Sequence, residues 1–189
     1  MMHIITGKAR GVRLDTLAGD NTRPTSERAK EAIFSMLQFD LAGRRVLDLF
    51  AGSGQMGLEA LSRGAAHAVL VDREASACAV VRRNAQKTRL DRDAQICEMD
   101  AISFLKGYRG DAFHLAFLDP PYAAGLLPTV LELLLERKML TRGATVVAEC
   151  GDPKNLFGAN EALSSQYEIL KTKRYGAAYV FVLTPTERS

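Results

Sequence analysis

At 189 residues, 47% hydrophobic and 25% charged, the chain has the balance of one globular domain with a real core. It holds no apolar run long enough to span a membrane, and its start, "MMHIITGKARG", lacks the apolar stretch of a signal peptide, so a cytoplasmic protein without a membrane partner is expected. The net charge of +3 is too small to announce a nucleic-acid binder, and three scattered cysteines, Cys78, Cys97 and Cys150, with no C-x-x-C pair, argue against a zinc site or a disulfide framework.

The first segment, "HIITGKARGVRL" (3–14), consists of short apolar pieces broken by Gly7 and Gly11 and predicts a small β-hairpin. Residues 1–20 are expected to form an extension ahead of a main domain of 21–189. "TRPTSERAKEAIFSML" (22–37) predicts a helix that begins with Pro24, with Thr25 and Ser26 as capping candidates. Its Ala29, Ile33, Phe34 and Leu37 share one face.

Five short apolar runs follow: "RVLDLF" (45–50), "HAVLVD" (67–72), "AQICEMD" (94–100), "HLAFLD" (114–119) and "TVVAEC" (145–150). Near-continuous apolar strands are what a sheet covered on both faces requires. Helical stretches alternate with them. "GLEALSRG" (57–64) is stopped by Gly64, "REASACAVVRRNAQKT" (73–88) is basic toward its C-terminal end, and "LLPTVLELLLERKML" (126–140) carries Pro128 in its first turn. This order predicts an α/β, Rossmann-like fold built on a mostly parallel, doubly wound sheet. "YEILKTKRYGAAYVFVLT" (167–184) predicts two more strands, an antiparallel hairpin turning near Tyr175–Gly176.

"AGSGQMG" (51–57) follows the first predicted parallel strand and opens a helix, with Gly52, Gly54 and Gly57 in the spacing G-x-G-x-x-G. Glycines there let the backbone turn tightly and let a ligand approach. Asp72, 20 residues after Gly52 and at the end of the next strand, can accept the hydroxyl protons of a ribose. The loop alone suits a dinucleotide or S-adenosylmethionine equally. Asp48 leans toward the second, since a carboxylate beside the loop would repel a pyrophosphate and attract a sulfonium or ammonium group. Asp100 is placed to accept from an adenine amino group, with Phe104 beside the ring.

"FLDPPY" (117–122) sits at the carboxyl end of a predicted strand, where ligands bind in open α/β folds. Pro120 and Pro121 stiffen the corner and donate no N–H, so the Asp119 carboxylate and the Pro120 carbonyl leave it rich in acceptors. Two acceptors gripping an exocyclic NH2 would favour a pyramidal nitrogen and aim its lone pair at an electrophilic methyl. Tyr122 offers a ring on which a flipped base can stack.

Residues 46–122 resemble the amino methyltransferases that use S-adenosylmethionine, whose signature is a glycine loop followed by D/N/S-P-P-Y/F/W. More narrowly, "HIITGKARGVRL", "TRPTSERAKEAIFSML", "DLFAGSGQMGLEALSRGA", "FLDPPY" and "KRYGAAYVFV" together resemble the RsmD family of bacterial 16S rRNA guanine-N2 methyltransferases. The resemblance implies a seven-stranded methyltransferase fold with a small N-terminal hairpin, S-adenosylmethionine as cofactor, and 16S rRNA or the small ribosomal subunit as partner. It implies that Asp48, Gly52, Gly54, Asp72 and Asp100 hold the cofactor, helped by Phe34. Asp119, Pro120, Pro121 and Tyr122 would hold the base, with Arg23, Pro24 and Thr25 beside them. Two departures stand out: Gln55–Met56 occupies a place where small or aliphatic residues are common, and Asp72 replaces a longer Glu.

Charge placement fits the same reading. Residues 1–13 hold Lys8, Arg10 and Arg13 without an acid, and residues 171–186 hold Lys171, Lys173 and Arg174 without one. Lys8, Arg10, Arg13, Lys173 and Arg174 are expected to grip RNA phosphates. A monomer and a reaction without metal are expected. Other readings are a DNA adenine-N6 methyltransferase, which uses the same D-P-P-Y logic, a nicotinamide-dependent oxidoreductase, which leaves Asp48 and D-P-P-Y idle, and a non-catalytic RNA-binding module.

Overall fold

Seven strands form one central sheet in the computed structural model, which describes residues 2–17, 24–37 and 41–186. In chain order the elements are α1 (Pro24–Leu37), β1 (Arg45–Asp48), α2 (Gln55–Ser62), β2 (His67–Asp72), α3 (Ala75–Thr88), β3 (Ala94–Glu98), α4 (Ala101–Gly107), β4 (Phe113–Leu118), α5 (Leu127–Glu136), β5 (Leu140–Cys150), α6 (Glu161–Ser164), β6 (Tyr167–Tyr175) and β7 (Ala178–Pro185). The strand order is β3-β2-β1-β4-β5-β7-β6. The first five strands pair in parallel, and β7 lies antiparallel between β5 and β6. The expected Rossmann-like α/β fold with an antiparallel C-terminal hairpin is therefore present.

Side-chain alternation along the strands sorts the core into two layers. Val46, Leu70, Phe117, Val147 and Val180 face one layer with residues of the N-terminal segment, α1, α2 and α3. Leu47, Val69, Leu118, Ala148 and Phe181 face the other, with residues of α4 and α5. The inner strands β1, β2 and β4 are buried on both faces, which explains their nearly unbroken apolar runs, whereas β3 and β6 at the edges meet water.

Besides the short helix α6, three details differ from the expected elements. The first helix begins at Pro24, so Thr25 and Ser26 lie in its first turn rather than before it. Residues 101–107 form a helix of their own, for which Asp100 is the N-cap. Residues 140–144 extend β5 before the run "TVVAEC".

The N-terminal segment is not a detached arm. A His3–Arg13 bridge closes it as a hairpin, and Met2, Ile4, Ala9 and Leu14 are buried in the same layer as α2. Its open end meets the glycine loop, where the Ser53 hydroxyl donates to the Met2 sulfur at 3.0 Å. Its tip meets the far end of α2, where Lys8 N–H donates to Ser62 O at 2.8 Å. Along the way the buried Glu59 carboxylate accepts from Ile5 N–H at 2.7 Å and Thr6 N–H at 3.1 Å. Glycine is required at position 7: φ is +89°, and a Cβ there would lie 1.9 Å from the Ser62 carbonyl oxygen.

Candidate active site

Parallel strands bring their carboxyl ends to one rim, and the loops leaving that rim carry the predicted residues. Asp48 ends β1, Asp72 ends β2 and Asp119 follows β4. Asp48 is buried, and its Oδ2 accepts from Gly57 N–H at 2.9 Å. Desolvation raises its pKa to about 6, against the Gly57 hydrogen bond and the Lys30 charge, which lower it. It thus orders the first turn of α2 rather than the turn at Gly52 and Gly54.

The glycines divide the work. Gly52 has φ +53° and open space where a Cβ would point. Gly54 has φ +79° and would bring a Cβ to 3.0 Å from Val81, while a Cβ at Gly57 would lie 2.7 Å from Leu70. Gly52 therefore faces the cleft, and the other two let loop and helix close onto the core. Asp72 Oδ2 accepts from Gly52 N–H and Oδ1 from Glu74 N–H, each at 2.9 Å. A carboxylate offers about four acceptor positions, so these bonds fix its orientation and leave capacity for a diol. The cleft beside Gly52 and the held carboxylate fit a ribose-bearing cofactor.

Two rings expected beside the cofactor are buried. Phe34 has no exposed surface: its ring centroid lies 5.6 Å from that of Phe117, and the Arg63 guanidinium sits 4.7 Å from the ring. It is a core residue and cannot cover a cofactor in this arrangement. Phe104 is likewise buried, packed on Tyr108 with ring centroids 5.2 Å apart. Asp100 is exposed and caps α4 by accepting from Ser103 N–H at 2.9 Å. The Ser103 hydroxyl first, and that backbone bond second, hold its carboxyl below the usual carboxylate range. Arg23 and the side chain of Thr25 lie outside the described residues.

At the D-P-P-Y corner the Asp119 residue keeps accessible surface, yet protein crowds its carboxyl group. Desolvation raises its pKa to about 7, the Glu149 carboxylate adds to the rise, and Lys30 opposes it. Tyr122 opens a short 3-10 turn and is 38% exposed, which leaves ring surface for stacking. Its hydroxyl donates to Glu149 Oε1 at 2.5 Å. The ring lies against Gly151, where a Cβ would come within 2.9 Å of it.

Sequence reasoning missed Glu149, Gly151 and Lys30. Glu149 is the one charged residue in the run "TVVAEC", and that interruption is the signal that could have found it. Lys30 on α1 donates to Gln55 Oε1 at 2.7 Å, so the Gln55 departure serves to hold a cation near the two raised carboxylates.

Strand register aligns these groups. Leu118 pairs with Ala148, so Asp119, the first residue after β4, leaves the sheet beside Glu149 of β5. Glu149 pairs with Val180, and Val180 with Lys173. Residues opposite one another share a face, so Glu149, Val180 and Lys173 form one row, in which two strand spacings separate Glu149 from Lys173 by roughly 10 Å. Lys173 thus belongs to the D-P-P-Y rim, while Arg174, the next residue, turns to the other face over the Tyr179 ring at 5.3 Å. Lys8 and Arg10 do not belong to that rim: they are exposed at the far end of α2, roughly 10 Å along the helix from its start at the glycine loop. Among the described residues no three His, Cys, Asp or Glu side chains stand together as a metal would need, and no helix is long and apolar enough to cross a membrane.

Residues 2–184 match the family model described as Conserved hypothetical protein 95. The chain is 42% identical to YlbH of Bacillus subtilis over 150 residues, 78% of this chain and 82% of that one. It is 34% identical to the Escherichia coli K12 protein named Ribosomal RNA small subunit methyltransferase D over 148 residues, 78% of this chain and 74% of that one. The solved structure of yhhF from Escherichia coli superposes with a TM-score of 0.82 at 27% identity, covering 97% of both chains. A glycine loop with its acid, an acceptor corner and matches over nearly the whole length lead to one conclusion: the chain belongs to the RsmD family.

Proposed function

We propose that the protein methylates the exocyclic N2 amine of a guanine in 16S rRNA, with S-adenosylmethionine as methyl donor. The observation that carries this reading is the Asp119 carboxylate, on the rim that also bears the glycine loop, where Pro120 and Pro121 supply a carbonyl and no donor. S-adenosylmethionine supplies a methyl group already activated on a sulfonium. Gly52 leaves room for that cofactor, Asp72 accepts from its ribose, and Asp48 holds the helix behind the loop. Asp119 and the Pro120 carbonyl grip the amine hydrogens, and Tyr122 stacks on the base. Ionised Asp119 is also placed to take the proton the amine must lose.

The RNA reading rests on the relatives' names and on charge. Lys173 is exposed beside the base corner and Arg174 next to it on the other face, and both suit phosphates near the target nucleotide. Lys8, Arg10 and Arg13, exposed along the hairpin of the 1–20 extension, suit phosphates farther out.

Incubation with methyl-labelled S-adenosylmethionine and unmethylated small subunits, free 16S rRNA or duplex DNA, followed by nucleoside mass spectrometry, tests the reading. N2-methylguanosine from ribosomal RNA is the expected product. N6-methyladenine from DNA would keep the chemistry and overturn the substrate.

A further inference from the structure

The base corner contains a second carboxylate that the transfer itself does not require. Glu149 stands one strand from Asp119, because Leu118 pairs with Ala148 and Asp119, the first residue after β4, leaves the sheet beside Glu149. The negative charge of Glu149 adds to the desolvation that raises the Asp119 pKa. The Tyr122 hydroxyl holds Glu149 through Oε1 at 2.5 Å, and Tyr122 is in turn seated on Gly151. One of about four acceptor positions on Glu149 is thereby used, and its orientation is set by a residue of the base corner itself.

Two carboxylates side by side make a particular demand on a base. Guanine presents two donors in a row on its Watson–Crick edge, the N2 amine and the N1–H. Adenine presents its N6 amine beside an N1 lone pair, which a second carboxylate would repel. An acceptor pair therefore fits guanine, while a single acceptor would serve either base.

We propose that Glu149 is a specificity-determining residue: while Asp119 grips the N2 amine, Glu149 accepts the N1–H of the same guanine. This rests on the guanine-N2 reading given above. Lys30, Asp48, Asp119, Tyr122 and Lys173 are the ionisable groups that share this face or touch the pair. Lys30 offsets part of the negative charge of the paired carboxylates when the site is empty.

The test replaces the target guanine, once mapped by mass spectrometry in the small subunit, with 2-aminopurine, which keeps the N2 amine and lacks the N1–H. Wild-type protein should prefer guanine by roughly 100-fold in kcat/KM, the scale of a hydrogen bond to a charged group. Glu149→Gln should lose most of that preference, to about 3-fold or less, because a glutamine NH2 can donate to the bare N1. Equal discrimination by wild type and Glu149→Gln would overturn the proposal, as would a wild type indifferent to the substitution.

Tyr122→Phe keeps the carboxylate but removes the bond that orients it, and should lower the preference less than Glu149→Gln does. If Glu149→Gln does not fold, Glu149→Asp, which withdraws the charge by one methylene, must still reduce the discrimination. A wild type that yields no N2-methylguanosine from any RNA would instead refute the guanine reading itself, and the product nucleoside separates the two failures.

Discussion

The two sides of the candidate site are built differently. Every buried polar or charged side chain among the described residues, namely Asp48, Ser53, Gln55, Glu59, Ser62, Asn84 and Thr88, lies on the glycine-loop side. Most hold backbone atoms of another segment. Asn84 is the fullest case: its amide donates to Ser53 O at 2.9 Å and Asp15 O at 3.0 Å and accepts from Asp15 N–H at 2.7 Å. At the base corner, Asp119, Tyr122 and Glu149 all keep accessible surface. The glycine-loop side is thus prebuilt, whereas the D-P-P-Y corner keeps its charges accessible to solvent. Preorganisation is cheap where the ligand is small and constant, and it is left incomplete where a large polyanion must enter.

The strongest way to break this contrast is Asp119→Ala. Turnover should fall by about 10³-fold while the dissociation constant for S-adenosylmethionine moves by less than about 3-fold. Calorimetric titration beside the methylation assay would show it, and wild-type turnover would remove Asp119 from the mechanism.

On the prebuilt side, Gly7→Ala meets both a positive φ and a backbone collision, so a loss of about 3 kcal/mol in urea unfolding is expected. A loss below about 1 kcal/mol would mean that the hairpin can shift on α2 without penalty.

Asp48 gives a pH signature of similar size. Its folded pKa of about 6 stands above the ordinary carboxylate value of 3.8, so the folded state holds the proton more tightly than the unfolded chain. Its contribution is fully present below about pH 4 and is lost as pH rises through about 6, a change of about 3 kcal/mol. Asp48→Asn should flatten that decline; identical stability profiles for the two proteins from pH 4 to 8 would argue against the shift. Asp119, raised to about 7, should impose an acid limb on kcat/KM, with activity rising as the pH passes about 7 and the carboxylate forms.

Asn84→Ala would strip three hydrogen bonds and should cost about 2 kcal/mol, with weaker binding of S-adenosylmethionine than of RNA. Equal weakening of both would deny any special link to the loop. The smallest effect belongs to the basic pair. Removing Lys173 and Arg174 should reduce the slope of log affinity for RNA against log salt by about 1 to 2. An unchanged slope would leave them as ordinary surface charges.

Much of the fold was legible because its signals are local. The run "HAVLVD" matches β2 residue for residue, and the turn expected near Tyr175–Gly176 separates β6 from β7. Helices α4 and α6 escaped because seven and four residues are too short to show a 3.6-residue period. Phe34 shows the opposite error. Its place on the apolar face of α1 already marked it as core, and the role suggested by resemblance did not survive its burial. Asn84 and Glu149 act on residues 69 and 27 positions away, and only the folded chain brings such pairs together.

The position of β7 bears on how the molecule is made. Residues 178–185 are synthesised after β6, yet they are inserted between β5 and β6. Until they emerge from the ribosome, β5 shows an unpaired edge and β6, which carries Lys173, has no strand to pair with. A chain truncated within β7 therefore loses an interior strand rather than a frayed end. Incomplete copies would leave β6, and with it Lys173, unattached to the sheet, while Asp119 and Glu149 keep the β4–β5 pairing.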